Sequence, residues 1–160
     1  MYVDRASVLT RISALYVDKL ANQVFAPFNL SLAQYKILAY LFYQPEKTVT
    51  TAELEDYFQM SHSTSVGLLN NLERAGWIKR IKGGGRSKVI EATDKALTEK
   101  GKLEAAGREL ENTFTENLSA EEVREYIRLS SKLLGMEEYI SGDTLKSILD
   151  NGNCFSEDQA

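Results

Sequence analysis

Residues 61–88, SHSTSVGLLNNLERAGWIKRIKGGGRSK, read as an amphipathic helix followed at once by a glycine-tipped basic hairpin. Ser61 is placed to cap the helix by accepting from the free amides of its first turn, and Ser65, Leu68, Leu69 and Leu72 recur on one face at helical spacing. That face goes inward. The other face carries His62, Ser63, Val66, Gly67 and Asn70, small or hydrogen-bonding side chains that let a helix lie close to another surface, and Gly76 closes the helix. A helix that fits a groove, with a ribbon flanking it, points to nucleic acid.

From residue 74 to residue 88 the cations are Arg74, Lys79, Arg80, Lys82, Arg86 and Lys88, uninterrupted by any carboxylate, in a chain of formal net charge -4. Positive charge is therefore concentrated. A plainer reading is a solvated hairpin whose lysines protect an edge strand from aggregation; the helix before it shifts the balance towards nucleic acid. The acidic total is no obstacle, because distant carboxylates are screened within about 8 Å at physiological salt.

With 160 residues, 43% of them hydrophobic and 26% charged, the chain is long enough to bury one real core and has an ordinary soluble composition. Cys154 is the only cysteine, so no intramolecular disulfide forms and nothing demands an oxidising compartment. The opening MYVDRASVLTRIS breaks its apolar positions with Asp4 and Arg5, unlike a signal peptide, and the longest apolar run, 37–43, is too short to span a bilayer. A cytoplasmic location and no membrane partner are expected.

Working outward, Leu54, Phe58 and Met60 join Leu68, Leu69 and Leu72 as the core of a helix-turn-helix. Its first helix opens on a capping box at Thr50 and Glu53, follows the polar stretch 46–48 and runs through Phe58, with a turn at Gln59, Met60 and Ser61. Ser31 and Gln34 form another capping box, opening a helix that runs to about Tyr43, where Pro45 stops it. Before that, Val8, Leu9, Ile12, Leu15, Tyr16, Lys19, Leu20 and Val24 trace a stripe broader than one small domain requires, ended by Pro27. The Trp77 to Lys82 and Val89 to Ala92 segments suit antiparallel strands joined through Gly83, Gly84 and Gly85. Thr93 caps a helix reaching about Leu118. Ser119 and Glu122 open the last long helix, with Val123, Ile127, Leu133 and Leu134 facing inward. The expected organisation is a mainly α (α+β) single domain: a winged helix-turn-helix module over 31–92, dimerisation helices over 1–28 and 93–141, and a mobile tail over 142–160.

Residues 30–101 resemble the MarR family of bacterial winged-helix transcriptional regulators through NLSLAQYKILAYLF, TTAELEDYFQMSHSTSVGLLNNLERAGWIKR, the glycine hairpin and TDKALTEKG, taken in that order and spacing. The ending SAEEVREYIRLSSKLL looks like the family's final helix. The resemblance implies a homodimer whose terminal helices interlock and whose two winged modules read successive grooves of a roughly palindromic operator. Three positions depart from the family's pattern. Gln59 stands where a turn glycine is frequent, which implies a left-handed penalty of roughly 1–2 kcal/mol or a different turn. Gly67 stands where a reading arginine is frequent, and Gly85 where an acidic residue often precedes the wing arginine, Arg86.

The residues expected at base edges are His62, Ser63, Val66 and Asn70, with His62 donating to a guanine acceptor or a phosphate and Val66 touching a thymine methyl. Thr64, Lys79, Arg80, Arg86 and Lys88 are expected at phosphates, with Arg86 entering the adjacent minor groove. Tyr16, Phe25, Phe28, Tyr35 and Tyr40 lie where, by resemblance, lipophilic aromatic effectors bind, although aromatics at this spacing also serve as core. With one histidine and a distant cysteine, neither a metal site nor a histidine-based triad assembles. No cofactor and no catalysis are expected. The expected function is a duplex DNA-binding regulator, most simply a repressor, and the competing class is a winged-helix module that docks proteins.

Overall fold

Helix starts fall where the capping side chains put them. In the computed structural model, which describes residues 5–44, 46–82 and 88–135, Ser31 Oγ accepts from the Gln34 amide at 3.3 Å while Gln34 Oε1 accepts from the Ser31 amide at 2.8 Å. The same reciprocal bonds join Thr50 to Glu53 and Ser119 to Glu122. They set the first residues of α2 (Leu32–Tyr43), α3 (Thr51–Tyr57) and α6 (Ala120–Leu133). Helix α4 (His62–Arg74) has only the single cap, Ser61 Oγ accepting from Thr64, because Thr64 occupies the position a capping glutamate would take. Helix α1 (Ala6–Val24) ends in a 3₁₀ turn over Ala26–Phe28 that contains Pro27.

Helix α5 (Asp94–Phe114) begins at Thr93, whose Oγ1 accepts from the Ala96 amide and donates to Gly76 O at 2.6 Å. It stops short of the expected Leu118. Asn112, Thr113 and Thr115 are weak helix formers, and the Thr115 hydroxyl bonds back to Glu111 O at 2.7 Å.

Three antiparallel strands in the order β1-β3-β2 complete the described elements: β1 (Thr48–Thr50), β2 (Ile78–Lys82) and β3 (Lys88–Ala92). The first corrects the reading of 46–48 as a plain polar connection: Val49 lies opposite Ile90, and both are buried. Along β2 the pleat turns Ile78 and Arg80 to the buried side with Ile90 and Ala92, and Lys79 and Ile81 to the other. Pro45, the glycine turn 83–85, Arg86 and the tail with Cys154 lie outside the described residues.

The chain divides into two compact units, Ala21–Ala105 on the one hand and Met1–Leu20 with Ala106–Ala160 on the other. In the first, Phe25, Leu38, Leu41, Leu54, Leu72 and Ile90 form a fully buried core. In the second, Tyr16 meets Phe114 and Phe114 meets Tyr126, each pair with ring centroids 6.2 Å apart. Leu133 and Leu134, expected to face inward, are instead 68% and 65% exposed. Leu9, Ile12, Leu15 and Leu129 are also exposed, so the apolar stripes of α1 and α6 are left uncovered.

Gly76 follows α4 with φ +78, where an added Cβ would meet nothing closer than Lys95 Cδ at 4.0 Å, so only backbone strain opposes a side chain there. Gly76→Ala is expected to lower stability by about 1 kcal/mol. Gln59, with φ 50, already bears that strain, so Gln59→Gly is expected to leave stability equal or higher. Urea unfolding at one protein concentration checks both signs.

Candidate nucleic-acid interface

The turn between α3 and α4 is shaped by Gln59. Its amide donates to Asp56 O at 3.2 Å and its Nε2 to the same oxygen at 2.6 Å, while the Met60 amide reaches Glu55 O at 3.1 Å. Left-handed backbone at Gln59 thus closes the end of α3 and redirects the chain into Ser61. Of the two outcomes foreseen for this position, the strained one holds.

Helix α4 buries Ser65, Leu69 and Leu72 and half-buries Leu68. Ser65 is the polar member of that face, and a buried hydroxyl needs a partner. It donates to Glu55 Oε1 in a short bond and lies 2.9 Å from His62 O. The same Glu55 oxygen is 2.8 Å from His62 Nδ1. Glu55 therefore joins α3 to the first turn of α4, and its carboxyl is held below the usual range, first by the Ser65 hydrogen bond and then by that of His62.

On the outer side, His62, Ser63, Thr64 and Gly67 are exposed, and a Cβ built on Gly67 meets nothing within 4 Å. Ser63 Oγ and Thr64 Oγ1 lie 3.1 and 2.9 Å from Ser61 Oγ, so the hydroxyls cluster at the start of α4. Val66 and Asn70 are half-buried. Asn70 Oδ1 accepts from Arg80 Nη2 at 2.8 Å, and Arg80 Nη1 lies 3.3 Å from Glu73 Oε2, so Arg80 braces β2 against α4. Lys79 lies 3.4 Å from Glu91, its neighbour across the strands. The carboxylates that meet these cations stand just outside the run 74–88, which is why the run looked unopposed. Lys88 is exposed. Arg86 is outside the described residues, as is the minor-groove role expected of it.

The five aromatics considered for an effector occupy different surroundings. Phe25 stacks on Tyr35 in the core with centroids 4.2 Å apart. Tyr40 lies against Tyr57 at 4.2 Å and edge-on to Phe58 at 5.7 Å. Burial, with Glu53 and Tyr57 adding to it, raises the Tyr40 phenol. Phe28 is half-buried in its 3₁₀ turn, and Tyr16 belongs to the other compact unit. Among the described residues no group of three metal-ligating side chains comes together.

A capped helix pair with a left-handed turn, set on a three-stranded sheet, is the winged-helix arrangement. The sequence profile of the MarR family matches residues 28–87. Over those residues the chain is similar to that family. The HTH-type transcriptional regulator PecS of Dickeya dadantii (strain 3937) is 32% identical over 92 residues, 56% of this chain and 55% of that protein, so the chain spans about half the length of the curated relative it matches. S. aureus MepR, solved in a complex with DNA, is 26% identical with a TM-score of 0.75 over 82% of this chain and 97% of its own. A mutant MarR from E. coli complexed with operator DNA shares the fold, at 22% identity and a TM-score of 0.74 over 82% and 95% of the two chains. In this winged-helix module Glu55 is the site residue that sequence reasoning overlooked. Its only sequence signal is a carboxylate in the last turn of α3 with histidine and serine at the start of α4.

Because hydrogen bonds from Ser65 and His62 depress the Glu55 carboxyl in the folded chain, the stability it contributes is present above the unfolded glutamate value of about 4.3 and is lost as pH falls through the lower folded value. Wild type and Glu55→Gln are therefore expected to differ in melting temperature at neutral pH and to converge as the solution is acidified below about pH 4. A calorimetric pH series measures the convergence.

Proposed function

We propose that this chain is a homodimeric transcriptional regulator that binds duplex DNA, most simply a repressor that occupies an operator and blocks polymerase. The observation that carries the reading is the outer face of α4: His62, Ser63, Thr64 and Gly67 stand exposed on a helix whose inner face is locked to α3. Such a face enters a major groove without steric hindrance. S. aureus MepR, 26% identical, was solved in a complex with DNA, which supports the same use of the module.

Dimerisation is supported by the uncovered stripes of Leu9, Ile12 and Leu15 on α1 and of Leu129, Leu133 and Leu134 on α6. A second copy would bury them, and two-fold symmetry would set the two α4 helices at half-sites about one helical turn apart. The divisions that follow are a winged module over 31–92 and dimer helices over 1–28 and 93–141. No described helix is long and apolar enough to cross a membrane, and a cytoplasmic location suits the reading. Release by a small lipophilic or aromatic effector, near Tyr40 and Phe28, is part of the same proposal.

A second reading, a winged-helix module that docks proteins, draws on Lys79 and Arg80, whose charges are met by Glu91 and Glu73. The two readings separate on duplexes selected from genomic fragments. For the DNA reading, fluorescence anisotropy across a salt series is expected to show Lys88→Ala and Arg86→Ala each flattening the slope of log K against log salt by about 0.9 per contact, doubled in a dimer. Lys79→Ala and Arg80→Ala should flatten it less, their charge being already opposed. Absence of affinity for any duplex at low salt would leave the docking reading standing.

Sedimentation tests the dimer separately. The double substitution Ile12→Glu with Leu133→Glu places charge in both uncovered stripes and is expected to give a folded monomer at micromolar concentration, where the wild type sediments as a dimer. A wild-type monomer under those conditions ends the two-fold model.

A further inference from the structure

His62 is the chain's only histidine, and its side chain is 77% exposed with Nδ1 2.8 Å from Glu55 Oε1. An ionised carboxylate only accepts hydrogen bonds, so the ring nitrogen facing it carries a proton. In a neutral imidazole that is the sole ring proton, and the opposite nitrogen, Nε2, is left with its lone pair. The Ser65 hydroxyl, itself buried, donates to the same Glu55 oxygen and keeps the carboxylate in place. The outer edge of the ring thus has a defined polarity. It is the reverse of the donor role expected from sequence, in which His62 gives a proton to guanine.

We propose that Glu55 is a specificity-determining positioning residue: by holding His62 in the Nδ1–H form it presents Nε2 as an acceptor to an adenine or cytosine amino group and withholds the donor that guanine would need. The proposal rests on the duplex-binding reading. In the major groove adenine N6 and cytosine N4 offer donors, whereas guanine offers the acceptors N7 and O6, so one ring nitrogen distinguishes the two classes by its protonation.

Among the described residues, the charged groups beside the ring are taken from α3 and from α4 itself. From α3 comes Glu55; Glu53 of that helix is turned to Thr50, and its remaining acid is Asp56. On α4 itself the next charged residue is Glu73, ion-paired with Arg80, and the positive end of that helix's dipole is the other field at the site. Phosphate oxygens join them once a duplex is bound.

The test has one arm without DNA and one with it. Nitrogen-15 spectra of the full-length protein contain a single imidazole. At about pH 8, above the usual imidazole range, the wild type is expected to show a protonated Nδ1 and a bare Nε2, and Glu55→Gln, whose amide can either accept or donate, a shift towards Nε2–H. A wild-type ring protonated on Nε2 overturns the proposal, whatever the variant does. In the second arm, every base pair of a selected half-site is varied and competed at about pH 8. At one position the wild type is expected to favour adenine or cytosine over guanine by roughly tenfold, and Glu55→Gln to lose that preference. A variant with the wild-type preference at every position, or a uniform loss on all duplexes, overturns the proposal while leaving the duplex reading intact. If no duplex binds, the duplex reading falls and takes the specificity role of Glu55 with it.

Discussion

A buried serine hydroxyl and the carboxylate that satisfies it hold the helix-turn-helix in one arrangement. Ser65 lies on the inner face of α4 among leucines, where an unbonded hydroxyl would cost about 1–3 kcal/mol. Glu55 answers it from α3 and takes His62 as well. Apolar packing through Leu54, Leu69 and Leu72 brings the helices together, but hydrophobic contact is non-directional. The polar bonds, with the left-handed Gln59 between them, select the angle and register at which α4 leaves the turn.

The far end of α4 is anchored as firmly. The Trp77 amide donates to Leu72 O, the Thr93 hydroxyl bonds Gly76 O, and Lys95 reaches Ala75 O at 2.7 Å with its ammonium 4.3 Å from the Trp77 ring centre. Arg80 adds a tie from β2 through Asn70 and Glu73. A helix held at both ends and along its inner face has its outer face defined by elimination. That is the surface the proposed function uses.

Much of this was legible in the sequence, and the misses have a common cause. Capping boxes are local, with both partners three residues apart, so Ser31, Thr50 and Ser119 could be read at once. The winged-helix class followed from the helix-turn-helix pattern, the basic glycine hairpin and the resemblance of residues 30–101 to the MarR family. Strand β1 was missed because its stabilisation comes from Ile90 and its neighbours, some forty positions away, and three residues carry too little alternation to notice. Pairings of Lys79 with Glu91 and of Arg80 with Glu73 depend on strand register and on how β2 crosses α4. Glu55 was hidden for the same reason, since it meets His62 and Ser65 only after the turn has folded back. Leu133 and Leu134 were assigned inward from periodicity, which finds an apolar face but does not say whether the same chain covers it.

Thr50 belongs at once to the sheet and to a helix: it is the last residue of β1, opposite Val89, and its hydroxyl and amide form the capping box of α3. No connecting residue lies between the two elements. Peeling β1 from β3 would therefore also free the N-terminus of α3, and fraying of α3 would loosen the sheet's edge. Opening of the edge strand and fraying of α3 are therefore coupled through Thr50, next to the helix that braces α4.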